Sequence, residues 1–206
     1  MRQPGPVYFV TDPTAPLPVA QQALAAAKGG AWAVQLRDKT ATDDQLIATA
    51  RQIKSLLAPM GVALIVNDRA QVALEAVADG LHIGQGDGDP ARIRAMIGAK
   101  MMLGLSIDNP AQLAAIPPGC IDHIGTGPVR ATATKPDHAA PFGFDGLALI
   151  AARAPCPAIA IGGLALGDAR ALRLAGVAGA AYVSAIARTE NPEQATRQLV
   201  REWGAP

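Results

Sequence analysis

Eight short apolar runs, each followed by a helical or helix-like stretch, constrain this chain more than any other feature. The runs are Val7 to Asp12, Ala33 to Lys39, Val62 to Val66, Gly80 to Gln85, Met102 to Ile107, Ile121 to Thr126, Pro157 to Ile161 and Ala180 to Ser184. No pair of them is joined by a hairpin turn signal. Strict alternation implies parallel strands, because a parallel pair needs a crossover and a helix supplies it. Eight such units imply closure into a (β/α)8 TIM barrel of the α/β class, with its active site at the C-terminal ends of the strands. An open doubly wound sheet is the alternative, and it requires one of the shorter units to be something other than a strand.

The stretches between the runs read as helices. Leu17, Ala20, Leu24 and Ala27 recur at helical spacing, and Gly29-Gly30 stops them. Thr42 and Gln45 form a capping-box pattern ahead of the apolar face Leu46, Ala50, Ile53 and Leu57. A further helix runs from about Ala70 to Val77. Asp89-Pro90, Asn109-Pro110 and Asn191-Pro192 each read as an N-cap followed by proline in the first turn. The longest interruption, Arg130 to Phe144, follows the sixth strand, and a loop of that length in a compact domain is usually functional or mobile. No linker or low-complexity tract divides the 206 residues, so residues 1–206 read as one domain.

Composition narrows the function. Half the residues are apolar but only 3% are aromatic, so the core is built from Ala, Val, Ile and Leu. With a net charge of +1 and no basic–aromatic interleaving, neither nucleic acid nor a membrane surface is an expected partner. Cys120 and Cys156 are single and far apart, which reads as reduced thiols rather than zinc or a disulfide framework. No apolar run reaches the length of a membrane span, and a soluble cytoplasmic protein is expected.

Polar residues gather at the strand ends. Gln35, Arg37 and Lys39 alternate along the second run and share one face. They form either a phosphate or diphosphate clamp, or a solvated strand end balanced by Asp38. Asn67, Asp68 and Asp87 end the third and fourth runs, and adjacent strands lie about 5 Å apart. The two carboxylates suit Mg2+, which takes one or two carboxylates plus substrate phosphates; otherwise they cap helices or face solvent. Gly162-Gly163 and Val183-Ser184 end the last two runs, where barrels often bind a phosphate through backbone N–H groups. Ordinary turns are the alternative there. Gly125 to Lys135 turns on glycine and proline and finishes with Thr132, Thr134 and Lys135, a donor-rich loop for an anion. His82 reads as a core histidine with one hydrogen bond, and His123 and His138 as structural or exposed. No Ser/His/Asp or Cys/His grouping suggests a covalent intermediate. Two anion sites, one cationic with a metal and one of neutral donors, describe an enzyme that joins a diphosphate-activated fragment to a phosphorylated one.

With these segments the chain resembles the thiamine-phosphate synthase family along nearly its whole length. The resemblance rests on Val34 to Lys39, Leu64 to Asp68, Gly80 to Asp87, Gly104-Leu105-Ser106, Gly127-Pro128 with Thr132 to Lys135, and Ile161-Gly162-Gly163. It implies the same barrel. It also implies condensation of 4-amino-2-methyl-5-hydroxymethylpyrimidine diphosphate with 4-methyl-5-(2-phosphooxyethyl)thiazole, or its carboxylated form. By the same resemblance Gln35, Arg37, Lys39, Asn67 and Lys135 surround the pyrimidine diphosphate, and Asp68 and Asp87 hold Mg2+. Ser106 contacts the pyrimidine side, and Thr132, Thr134, Gly163, Val183 and Ser184 hold the thiazole phosphate. Arg37, Lys39, Ser106 and Lys135 are the residues expected to act in catalysis. Arg130 stands where family members often carry an aromatic residue, and an outward, packing role is expected of it. A thiazole tautomerase of the same barrel family would not need Arg37, Lys39, Asn67, Asp68 and Asp87 together. A non-catalytic thiamine-phosphate binding protein would not need the two carboxylates. The oligomeric state stays open, a homo-oligomer included.

Overall fold

The computed structural model describes residues 4–132 and 140–205. Eight parallel strands close on themselves in sequence order: β1 (Val7–Val10), β2 (Ala33–Leu36), β3 (Ala63–Asn67), β4 (Gly80–Ile83), β5 (Met102–Ile107), β6 (His123–Thr126), β7 (Ala158–Ile161) and β8 (Gly179–Tyr182). Tyr8 of β1 lies opposite both Ala33 and Ala181, which shuts the sheet. Helices α1 (Val19–Gly29), α2 (Asp43–Leu57), α3 (Ala70–Glu75), α4 (Pro90–Ile97), α5 (Gly143–Ala151), α6 (Ala169–Leu174), α7 (Ser184–Ala187) and α8 (Pro192–Gly204) fill the crossovers and the C-terminus. The crossover after β5 is a 3-10 segment, Pro110–Ala115, rather than an α-helix. No helix among the described residues is long and apolar enough to cross a membrane.

The helix boundaries follow local chemistry. Thr42 N–H donates to the Gln45 side chain at 2.9 Å and the Thr42 hydroxyl accepts from Gln45 N–H at 3.3 Å, a complete capping box on α2. The Asp89 carboxylate accepts from Ala91 N–H at 2.7 Å, with Pro90 in the first turn of α4. Asn191 caps α8 by accepting from Gln194 N–H at 3.0 Å.

Alternation along the strands sorts the apolar residues into two cores. Val7, Phe9, Val34, Leu36, Leu64, Val66, Leu81, Ile83, Leu103 and Ile124 face outward and meet helix residues such as Ala26, Ile53 and Leu57 in one large cluster. Tyr8, Val10, Ala33, Ala63, Ile65, Met102, Ile159 and Ala181 face inward and form a smaller cluster inside the barrel. Each fully buried Leu or Ile contributes about 1.5–3 kcal/mol, so the outer shell supplies most of the hydrophobic stabilisation. Val10, Ile159 and Ala181 of the inner cluster reach the C-terminal end, where they line the cavity beside polar groups.

Several strands are shorter than their sequence runs. β2 ends at Leu36, so Arg37 and Lys39 lie on the loop beyond it. There the Thr11 hydroxyl accepts from Arg37 N–H at 3.0 Å, which replaces a sheet contact with a side-chain one. β4 ends at Ile83, because the Asp87 carboxylate accepts from Gly84 N–H at 2.6 Å and turns the chain. β6 begins at His123, two residues into its sequence run. β8 ends at Tyr182, and Val183 and Ser184 already belong to the start of α7.

Candidate active site

The C-terminal strand ends surround one cavity of about 630 Å3. Gln35, Arg37, Lys39, Asn67, Asp68, Asp87, Ser106, Thr132, Gly163, Val183 and Ser184 all line it. Thr134, Lys135 and His138 lie outside the described residues.

One wall comes from the ends of β2, β3 and β4. Gln35 points into the barrel and donates through Nε2 to the Tyr8 hydroxyl at 3.0 Å. Arg37 and Lys39 stand above it, and neither side chain is held in an ion pair among the described residues. Asn67 ends β3 opposite His82. Asp68 follows with a φ of 53°, a left-handed conformation uncommon outside glycine and concentrated at functional sites. Burial and the nearby charge of Asp87 push the Asp68 carboxyl up, against the pull of Arg69, Lys39 and Arg37.

That pair of carboxylates is the structure's test of a metal. No group of three or more His, Cys, Asp or Glu arranged to hold an ion is found among the described residues. Two carboxylates on one cavity wall, Asp87 near enough to disfavour the charge of Asp68, fit a cation that completes its shell with substrate oxygens and water. As a donor set Asp68 and Asp87 suit Mg2+, and among the described residues they belong to no closed, all-protein cage.

The floor between the walls is polar but uncharged. His82 Nε2 and Ser106 Oγ are hydrogen-bonded at 3.0 Å, and Gln85 donates to the Ser106 carbonyl at 2.6 Å. Room for the His82 ring comes from glycine: a Cβ on Gly104 would lie 2.4 Å from both His82 Nδ1 and His123 Nε2. The two imidazoles sit 5.6 Å apart. Burial, with His123 adding to it, lowers His82 to about 3, and burial lowers His123 to about 4. Both rings are therefore neutral at physiological pH.

On the opposite wall, from β6 to β8 and on to β1, Arg130 and Arg188 are both paired. Gly162 and Gly163 have φ values of 101° and 64°, and their backbone lies at the cavity edge with Thr132, Val183 and Ser184. Arg130 does not line the cavity. Its guanidinium grips Asp168 through two bonds of 2.6 and 2.7 Å and lies 5.0 Å over the Phe144 ring. The expected outward role is what the structure has, but the guanidinium is paired rather than left to water. Arg188 similarly holds Asp12 at 2.9–3.0 Å and Thr14 at 2.7 Å.

Sequence reasoning passed over several lining residues. Tyr8 and His123 belong to the inward register of β1 and β6, a signal open to anyone who fixes the strand ends. Asp12 and Arg188 are 176 residues apart, and no local pattern joins them.

Comparison with known proteins bears on the chain as a whole. Residues 7–186 match the family described as thiamine monophosphate synthase. The chain is 46% identical to a thiamine-phosphate synthase of Xanthobacter autotrophicus, over 94% of this chain and 92% of that one. It is 41% identical to one from a Psychrobacter species, over 95% and 94% of the two chains. A solved thiamine phosphate pyrophosphorylase from Pyrococcus furiosus superposes with a TM-score of 0.88 at 27% identity, covering 97% of this chain and 95% of that one. A 3-hexulose-6-phosphate synthase matches with a TM-score of 0.70 at 16% identity, which speaks for the barrel alone. By full-length similarity and by fold, the chain belongs to the thiamine-phosphate synthase family.

Proposed function

We propose that this chain is a cytoplasmic transferase that joins 4-amino-2-methyl-5-hydroxymethylpyrimidine diphosphate to 4-methyl-5-(2-phosphooxyethyl)thiazole, or its carboxylated form, giving thiamine phosphate and diphosphate. The observation that supports it best is the cationic wall. Arg37 and Lys39 face a cavity without an ion-pair partner among the described residues, beside Asp87 and an Asp68 whose charge Asp87 disfavours. A metal-bound diphosphate satisfies all four groups at once.

The chemistry follows from the substrate. The carbon that bears the diphosphate is attached to an electron-rich aminopyrimidine. Its C–O bond breaks with both electrons leaving on the diphosphate, and the remaining cation is stabilised by the ring. No protein nucleophile is required. Arg37 and Lys39, with Lys135, bind the diphosphate and stabilise the charge that grows on it. Asp68 and Asp87 would hold Mg2+, which when bound supplies Lewis-acid neutralisation of that same leaving group. Ser106 would meet the pyrimidine, its hydroxyl oriented by His82. Neutral imidazoles on the floor add no positive charge against the forming cation. Thr132, Thr134, Gly163, Val183 and Ser184 would hold the thiazole phosphate. So anchored, the thiazole nitrogen donates its lone pair to the carbon and forms the new C–N bond.

The direct test is to incubate purified protein with both substrates and Mg2+ and to assay thiamine phosphate and diphosphate. Equal amounts of the two products are expected. Absence of both would overturn the reading.

A further inference from the structure

We propose that Arg130 is a positioning residue: its ion pair with Asp168 straps the segment after β6 onto the loop after β7 and so sets Thr132 and Gly163 at their working separation. The proposal rests on the reading above that these two residues serve the thiazole phosphate.

The strap joins three segments. Arg130 Nη1 donates to Asp168 Oδ2 at 2.6 Å and Nη2 to Asp168 Oδ1 at 2.7 Å, the two-pronged match of a planar guanidinium to a carboxylate. Nη1 also donates to the Gly163 carbonyl at 3.2 Å. Asp168 is only 7% exposed, and its Oδ2 accepts from Ala165 N–H at 2.9 Å, so the anchor itself is fixed. Burial would raise the Asp168 carboxyl, yet the hydrogen bond and charge of Arg130, with the Ala165 amide, keep it below the usual carboxylate range. Phe144, at the start of α5, lies beneath the guanidinium.

The backbone beside the strap is in direct contact. Val129 N–H donates to the Ile161 carbonyl and Arg130 N–H to the Gly162 carbonyl, both at 3.0 Å. A Cβ on Gly163 would lie 2.7 Å from Arg130 Cβ and 2.9 Å from the Ala131 carbonyl. Nothing but glycine fits, and its φ of 64° favours glycine as well. From the other side Phe142 N–H donates to the Pro128 carbonyl at 3.2 Å and Gly143 N–H to the Val129 carbonyl at 3.1 Å. Arg130 sits at this junction, two residues before Thr132. Since it does not line the cavity, its effect on a ligand is exerted through the position of its neighbours.

The experiment compares wild type with Arg130→Ala, Asp168→Asn, the double variant and Arg130→Lys. Arg130→Ala should raise KM for the thiazole phosphate about tenfold and leave KM for the pyrimidine diphosphate within about twofold. Asp168→Asn should act in the same direction. The double variant should be no worse than the weaker single one, because both remove one interaction. Arg130→Lys, with charge but no fork, should recover part of the loss. Amide hydrogen exchange at Val129 and Arg130 needs no substrate. It should quicken in Arg130→Ala and Asp168→Asn, with little change in melting temperature. Unchanged exchange, additive single effects, or equal rises in KM for both substrates would overturn the strap. Failure of the functional reading is distinct: there wild type forms no thiamine phosphate, whatever the exchange rates.

Discussion

The two walls of the cavity treat positive charge in opposite ways. Near β2 to β4, Arg37 and Lys39 stand without ion-pair partners among the described residues. Near β6 to β1, Arg130 and Arg188 each hold a mostly buried carboxylate, Asp168 and Asp12. Paired cations shape loops, because their field is cancelled at short range. Unpaired cations on one face repel each other and attract an external anion. One arginine type thus serves two ends, and the presence or absence of a partner carboxylate decides which. Asp68 adds to the contrast: the charge of Asp87 raises its carboxyl even though Arg69 lies 3.9 Å away and pulls the other way.

The largest expected effect is on that carboxylate pair. Asp87→Asn removes one of the two carboxylates of the proposed Mg2+ site while keeping the side chain's size. Turnover should fall about 100-fold and half-maximal activity should need more Mg2+. Protection of the protein by Mg2+ against thermal unfolding should weaken in parallel. Full activity with an unchanged Mg2+ requirement would take Asp87 out of the metal site and leave the first wall purely cationic.

Arg37→Ala comes next. A lost charge-assisted bond that strengthens as diphosphate leaves should cost about 1.5–3 kcal/mol, roughly ten- to 150-fold in kcat/KM for the pyrimidine diphosphate. Steady-state kinetics with each substrate varied in turn checks it. A defect confined to the thiazole phosphate would mean that the walls have been assigned the wrong way round.

The first wall was the more legible in the sequence, and the contrast explains why. Gln35, Arg37 and Lys39 lie within five residues, and Asn67 and Asp68 are adjacent, so strand spacing alone groups them. The barrel was legible for the same reason. β5 spans Met102–Ile107, the same bounds as its apolar run, because it is long and ends cleanly. The second wall was not legible as a set of partners. Arg130 meets Asp168 across 38 residues and Arg188 meets Asp12 across 176, so each pairing exists only once the barrel has closed. The floor is intermediate. His82 and Ser106 sit on neighbouring strands, but their contact needs the register and the space left by Gly104. The strand ends were overread at β2 and β4, where Thr11 and Asp87 side chains take over backbone donors.

Beneath both walls, His123 makes the floor's neutrality measurable. Burial lowers it from an ordinary value near 6.5 to about 4 in the folded protein. The unfolded chain then binds a proton that the folded one refuses. Stability from this group is present above about pH 6.5 and is lost as pH falls toward 4. Between pH 7 and pH 5 the loss should be about 2 kcal/mol for His123, with His82 adding in the same direction. Denaturant titrations at the two pH values give the slope directly. His123→Gln should flatten it even if it lowers stability at pH 7. An unaltered slope would mean that His123 does not titrate on unfolding in this window.

The smallest expected effect separates the walls most sharply. Arg130→Tyr removes a cation from the second wall, as Arg37→Ala does from the first. The Arg130 charge is already spent on Asp168, and its side chain does not line the cavity. Tyrosine lacks the fork but keeps a planar group to pack against Phe144, so part of the strap's hold on the segment should persist. The maximal rate should therefore stay within about threefold of wild type, a change of less than 1 kcal/mol. KM for the thiazole phosphate should rise less than in Arg130→Ala. The dependence of rate on salt should not change, because no unpaired charge has left the cavity. A large fall in rate specific to the pyrimidine diphosphate, with the fold intact by circular dichroism, would show that Arg130 acts on the diphosphate after all. The contrast between paired and unpaired cations would then lose its meaning for this barrel.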